Sequence, residues 1–289
     1  MVSKCQNNKY NYAVFILTNR RANNIITTKT LRDCGYTGKI YYIVDDEDPQ
    51  LSVYKENYGD DVIVFSKNQL VDKFDIMDNF DGNNVVVYAR NVCFDIAKKL
   101  NLDYFLEFED DYGYFEIREN ENGVLKSYKI KDLDSVFTAM IEFLNSSKSI
   151  TTVAFAQGGD LIGGAEASFF KSKLRRKAMN SFFCSVDKYF EFKGRFNDDV
   201  NTYVSLGSIG DIFLTLTNID LVQAQTQKNK GGNSESYNKY GTYVKSFYSV
   251  MMCPSCVCIN TVGVQHPRIH HLIDWEKAVP KIISDKFRK

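Results

Sequence analysis

The chain has 289 residues, 44% of them hydrophobic, with 36 basic and 36 acidic side chains and a formal net charge of zero. That hydrophobic content can build a sizeable core and excludes global disorder, while the charge balance excludes a bulk attraction to nucleic acid and leaves only a local patch. No apolar run approaches membrane-spanning length, and the polar start at residues 1–9 has no signal-peptide character, so no membrane association is expected and the 7 cysteines read as reduced thiols.

Residues 12–18 are a continuous apolar run, the pattern of a strand buried on both faces. Residues 23–34 predict a helix that starts at Asn23 and stops before Gly35. Residues 39–44 predict a second strand, which runs into Asp45-Asp46-Glu47-Asp48, and residues 62–65 a third. Residues 89–101 predict a helix with Val92, Ile96 and Leu100 on one face. A fourth strand, residues 104–109, then runs directly into the acids Glu109, Asp110 and Asp111.

Beyond the acids, residues 114–130 predict a β-hairpin turning at residues 120–123. A helix over residues 132–144, capped by Asp132, precedes a strand at residues 151–155 and a glycine-rich loop at residues 157–164. Asp198 and Asp199 are placed to open another helix. Strands alternating with helices argue for an α/β fold with a mainly parallel sheet and helices on both faces. With no internal repeat and no linker, the chain reads as a single domain over residues 1–289.

The acidic triplet carries the chemistry. Adjacent carboxylates at the end of a buried strand repel one another, and a divalent cation relieves that repulsion. Strand alternation sends Glu109 and Asp111 to one side, where both would reach one hard ion such as Mn2+ or Mg2+. Asp45 and Asp46 end the second strand, where an acid accepts hydrogen bonds from a ribose or base, and Thr18 and Arg20 end the first strand beside them. Asp199 or Asp198 is the candidate general base. Lys173, Arg175, Arg176 and Lys177 form a basic cluster that reads either as a solvated helix face or as a phosphate-contact patch. Cys253, Cys256 and Cys258 lie close to His266, and a zinc-stabilised interaction domain is the alternative to plain buried thiols.

In order, the acids 109–111, the glycine loop with Asp160, Asn197-Asp198-Asp199 and a late His resemble a glycosyltransferase of the GT-A fold. More narrowly, residues 12–271 resemble the phage-type TET-associated glycosyltransferases, which are implicated in attaching sugars to hydroxymethylated pyrimidines in DNA. The resemblance implies a Rossmann-like nucleotide-binding half at about residues 10–115, an acceptor-binding half at about residues 116–280 and a mixed central sheet. It implies a UDP-sugar donor held by Thr18, Arg20, Asp45, Asp46, Arg90, Asp110 and Asp160, and a metal held by Asp111, Glu109 and His266, with His270 as the alternative to His266. The implied partner is double-stranded DNA with hydroxymethylated pyrimidines, and the implied location is cytoplasmic, in the host if the chain is phage-encoded. A transferase acting on protein or glycan, and a non-catalytic nucleotide- or DNA-binding module on a degenerate GT-A shell, are the alternatives.

Overall fold

The computed structural model describes residues 9–171, 174–223, 239–241, 243–262, 267–281 and 284–285. The first half builds β1 (Tyr12–Leu17), α1 (Ile26–Asp33), β2 (Ile40–Asp45), α2 (Leu51–Tyr58), β3 (Val62–Phe65), α3 (Val86–Lys99) and β4 (Tyr104–Glu109). Then follow β5 (Tyr112–Glu121), β6 (Val124–Lys129), α4 (Leu133–Asn145), β7 (Ile150–Gln157), the short α5 (Ser168–Lys171), β8 (Leu174–Arg175) and β9 (Phe182–Ser185). The chain continues through α6 (Asp198–Gly207), β10 (Ile212–Gln223), α7 (Val244–Met252), β11 (Val257–Val262) and β12 (Arg268–Ile273).

The main sheet has the order β3-β2-β1-β4-β9-β7-β10-β5-β6, with β8 pairing β10 as a spur. The first four strands are parallel. β9 then enters antiparallel between β4 and β7, and β5 and β6 extend the sheet antiparallel beyond β10. The sheet is therefore mixed. The mainly parallel reading is correct only for the first half, because a short strand such as β9 carries no directional signal in its own sequence.

Both faces of the sheet are covered. Val14 and Ile16 of β1 join one core with Leu31 of α1, Tyr54 of α2 and Phe137, Ile141 and Leu144 of α4. Ala13, Phe15 and Leu17 point the other way, into a second core with Phe94 and Ala97 of α3 and Tyr203 and Val204 of α6. This alternation along one strand explains why β1 reads as an unbroken apolar run. The first core centres on Phe108, Phe115, Phe137, Phe155 and Phe183, whose ring centroids lie 5.2–6.2 Å apart. Tilted and edge-on pairs of this kind add about 0.5–1.5 kcal/mol each beyond area burial.

Local signals held at several boundaries. Asp132 accepts a hydrogen bond from Ser135 N at 3.0 Å and caps α4. Gly35 follows α1 at φ +86°, and a Cβ there would collide with the Lys131 carbonyl oxygen. The β5–β6 hairpin turns at Asn122 and Gly123, both at positive φ, as a tight hairpin turn requires. Two details differ. α1 begins at Ile26 rather than Asn23, because residues 21–24 form a turn closed by Asn24 N on Arg21 O at 2.8 Å. α2 escapes sequence reading because it is only 8 residues long and fully buries Tyr54 alone, so its stripe of Leu51, Tyr54 and Tyr58 is too short to stand out.

Candidate active site

The end of β4 is fixed by one threonine at the start of α1. Thr27 Oγ1 donates to Glu109 O at 2.6 Å and accepts from Tyr112 N at 2.9 Å, while Thr27 N donates to Asp110 O at 3.2 Å. The three acids leave this clamp in different directions. Asp110 turns inward and is 3% exposed. It accepts from Thr18 Oγ1 at 2.7 Å and pairs with Arg21. Burial pushes the Asp110 carboxyl up, against the pull of the Arg21 guanidinium. Thr18 also meets the Tyr54 hydroxyl at 2.9 Å. Thr18 and Asp110 thus knit β1, α2 and β4 together.

Glu109 and Asp111 are half-buried, as alternation about the strand end requires. Glu109 Oε1 accepts from Arg90 Nη2 at 3.1 Å, and Glu109 Oε2 lies 3.4 Å from Gln223 Nε2. Burial pushes Glu109 up to about 8; Arg90 opposes this and the charges of Asp111 and Asp110 add to it.

Arg90 is the hub of the site. Its side chain comes from α3 and is 2% exposed. Nη1 pairs with Glu107 Oε1 at 2.5 Å, Nη2 with Glu109 Oε1 at 3.1 Å, and Nε lies 2.7 Å from Asp198 Oδ2. Its nitrogens are turned to carboxylates of the chain itself. Glu107, wholly buried in the middle of β4, is pushed up to about 7 by burial against the pull of Arg90.

Asp198 and Asp199 open α6 as expected, after Asn197 in the left-handed region at φ +52°. The Asn197 Nδ2 group donates to Lys245 O at 2.7 Å and lies 3.1 Å from Ser249 Oγ and 3.2 Å from His271 Nδ1. Asp199 Oδ1 accepts from Val200 N at 2.7 Å. Burial, then the negative charge of Asp198, pushes Asp199 up to about 6. Asp160 follows β7 in the glycine loop, accepts from Gln157 N at 3.1 Å and pairs with Lys177.

At the outer end of the sheet, Asp45 is 6% exposed and pairs with Lys67 at 2.7 Å, while Asp46 is exposed and held low chiefly by the Ser66 hydroxyl. Arg20 is exposed at φ +58°, with its backbone N–H on Asp48 Oδ2 at 2.7 Å. These residues end adjacent strands β1 and β2, the position for a nucleotide in an α/β sheet.

Lys173, the side chain of Arg175 and His266 lie outside the described residues. Arg176 donates to Ala278 O at 3.0 Å and Trp275 O at 2.8 Å and stacks over the Trp275 ring, and Lys177 pairs with Asp160. Both side chains are used inside the fold. Of the two described histidines it is His271, rather than His270, that touches the α6 entrance; burial pushes it down to about 4, with His270, Lys245 and Lys177 adding. Among the described residues no group of three or more His, Cys, Asp or Glu is arranged to hold a metal, which includes the cysteines 253, 256 and 258. No helix among them is long and apolar enough to cross a membrane.

Sequence reading missed Glu107, Lys67 and Gln223. Glu107 had a signal: a charge in the centre of the buried run Phe105-Leu106-Glu107-Phe108 needs a buried partner. The others are assembled by tertiary contacts and have no local mark.

A family model described as TET-Associated Glycosyltransferase matches residues 12–232. No curated protein sequence matches the chain. Among solved structures the chain is similar to a mycobacterial protein at 10% identity, covering 92% of this chain and 84% of that one, with a TM-score of 0.47. It is similar to glucosyl-3-phosphoglycerate synthase from Mycobacterium tuberculosis in complex with Mg2+ and UDP (9% identity, 92% and 88% covered, TM-score 0.44). The same enzyme in complex with Mn2+ and UDP-glucose gives 10% identity, 95% and 89% covered, and a TM-score of 0.44.

Proposed function

The chain belongs to the TET-associated glycosyltransferase family, and from that premise we propose that it moves a sugar from a UDP-sugar to the hydroxyl of a 5-hydroxymethylpyrimidine in double-stranded DNA. The observation that carries this reading is the Arg90 bridge: Glu109 at the tip of β4 and Asp198 at the start of α6 meet on one guanidinium. Donor chemistry and acceptor chemistry need acids of both kinds close together.

Asp45, Asp46 and Arg20, at the ends of β1 and β2, receive the nucleoside. Glu109 and Asp111 offer hard oxygen donors on one side of the β4 end, which suits Mn2+ or Mg2+; His266 is the third candidate ligand. Bound there, the ion would supply positive charge where the diphosphate leaves. Asp160, held by Lys177, orients the sugar. In an inverting reaction Asp199 takes the proton of the acceptor hydroxyl. The acceptor oxygen then bonds to the anomeric carbon as the bond from that carbon to the diphosphate breaks, and UDP departs. The surroundings of Asp199 favour this proton transfer, because burial and the charge of Asp198 raise its basicity toward neutrality.

The test is incubation of the protein with hydroxymethylated duplex DNA, Mn2+ and a radiolabelled UDP-sugar. Label on the DNA is expected, with loss on chelation and in Asp111→Asn and Asp199→Asn. Label on protein or glycan instead would move the acceptor to the alternative class. No label anywhere, with UDP binding indifferent to Mn2+ and to Asp111→Asn, would leave a binding module.

A further inference from the structure

We infer that Arg90, braced by Glu107, is a positioning residue that holds the β4-tip acid Glu109 and the α6 acid Asp198 in one fixed register. The inference rests on the roles proposed above for those two acidic groups. Two carboxylates cannot hold one another; a cation between them can. Arg90 supplies that cation from a third element, α3, with Nη2 3.1 Å from Glu109 and Nε 2.7 Å from Asp198.

The guanidinium is itself immobilised. Phe182 and Phe192 face it, with ring centroids 4.9 and 5.3 Å from Cζ. Phe192 is fastened back to α3, because Asn91 Nδ2 donates to Phe192 O at 2.9 Å and Phe192 N donates to Asn91 Oδ1 at 2.8 Å. Glu107 takes the third nitrogen at 2.5 Å, on the same side of β4 as Glu109 two residues on. That third contact stops the fork from swivelling about the line between the two site acids.

A purely structural role fits poorly. Apolar side chains in place of both Arg90 and Glu107 would serve so desolvated a core as well or better, and the ion pair retained here ends on two site acids. A direct contact with the donor fits poorly too, because the side chain is 2% exposed. The planar fork matters: a lysine is a point charge and cannot set two nitrogens on Glu107 and Glu109 while a third lies 2.7 Å from Asp198.

The test uses Arg90→Lys and Glu107→Gln in the full chain. In Arg90→Lys we expect kcat for transfer to fall about a hundredfold, with calorimetric UDP affinity measured without Mn2+ kept within about threefold. Glu107→Gln should lower kcat about tenfold with the same unchanged binding. UDP affinity falling in step with kcat/KM would overturn the inference in favour of direct donor contact. So would folded variants whose kcat stays within about threefold of wild type. If Arg90→Lys does not fold, Glu107→Gln decides alone, since it is nearly isosteric and touches Arg90 rather than substrate. If wild-type protein transfers nothing to hydroxymethylated DNA, the acceptor reading fails, and hydrogen exchange then judges the positioning. Amides 198–201 should exchange at least about tenfold faster in a variant that still binds UDP, and unchanged protection would overturn the claim.

Discussion

At the scale of single residues, the site is a set of carboxylates whose surroundings pull them apart. Asp110 is committed to Thr18 and Arg21, Glu109 and Asp198 to Arg90, and Asp199 is left buried beside a like charge. The acidic limb of the pH profile for kcat/KM should therefore sit near the value of about 6 that Asp199 carries. Activity should rise with pH through that limb as the base form appears. Asp198→Asn removes the second-largest cause of the upward shift, so the limb should move to lower pH even as the rate falls. A limb that stays in place would show that another group titrates there. Asp199 also faces Arg90 and Lys177, both of which favour its charged form. The stability consequence has the opposite slope: native protein holds a proton that the unfolded chain has already released. The contribution of Asp199 to stability should thus decline from the ordinary carboxylate range up to pH about 6. His271, pushed down to about 4, is neutral at neutral pH, so its Nδ1 accepts from Asn197 without competing for the anionic pair.

Elements carry the residues to their places, and their ends matter most. α6 begins at a left-handed asparagine whose amide spans Lys245, Ser249 and His271. Asn197→Ala should cost about 1–3 kcal/mol in urea unfolding, because the αL backbone remains while its hydrogen bonds are lost. Asn197→Gly, which relieves the backbone strain, should cost less. Asp132→Ala at the start of α4 should cost about 1 kcal/mol with no change in transfer, since that cap lies in the other face of the fold. Such ends were legible in sequence. Asp132 before an apolar-periodic helix, Gly35 after α1 and Asp198-Asp199 at α6 each carry a local physical signature. So did the acids after β4, because an apolar run that stops in three carboxylates is chemically abnormal. Arg90 entered the sequence reading only through the family resemblance, and its carboxylate partners had no local mark. The identity of its partners depends on β4 and α6 arriving at the same place, and no spacing in the chain encodes that.

Across the whole molecule, one buried staple joins the long 66–85 connection to the elements that frame α6. Arg195 is 1% exposed and binds Asp78 at 2.9 Å, Gly82 O at 2.8 Å and Phe80 O at 3.0 Å, while the Tyr248 hydroxyl donates to the same Asp78. Arg195→Met should destabilise the protein by about 3–5 kcal/mol, since it strands a buried carboxylate, and Tyr248→Phe by about 1 kcal/mol. Equal losses in thermal or urea melts would argue against that division. Strand alternation with helices gave the parallel first half of the sheet from sequence, whereas β9 did not announce itself. Four residues of Phe-Phe-Cys-Ser look the same in either direction, and only packing decides where they go. The late arrival of β9 has a consequence for synthesis. While the nascent chain is still emerging, β4 offers an unsatisfied backbone rim that its final neighbour, made far downstream, has yet to cover. Fragments ending before Phe182 should self-associate through that rim, and translation through this stretch should be the interval in which the protein most needs a chaperone.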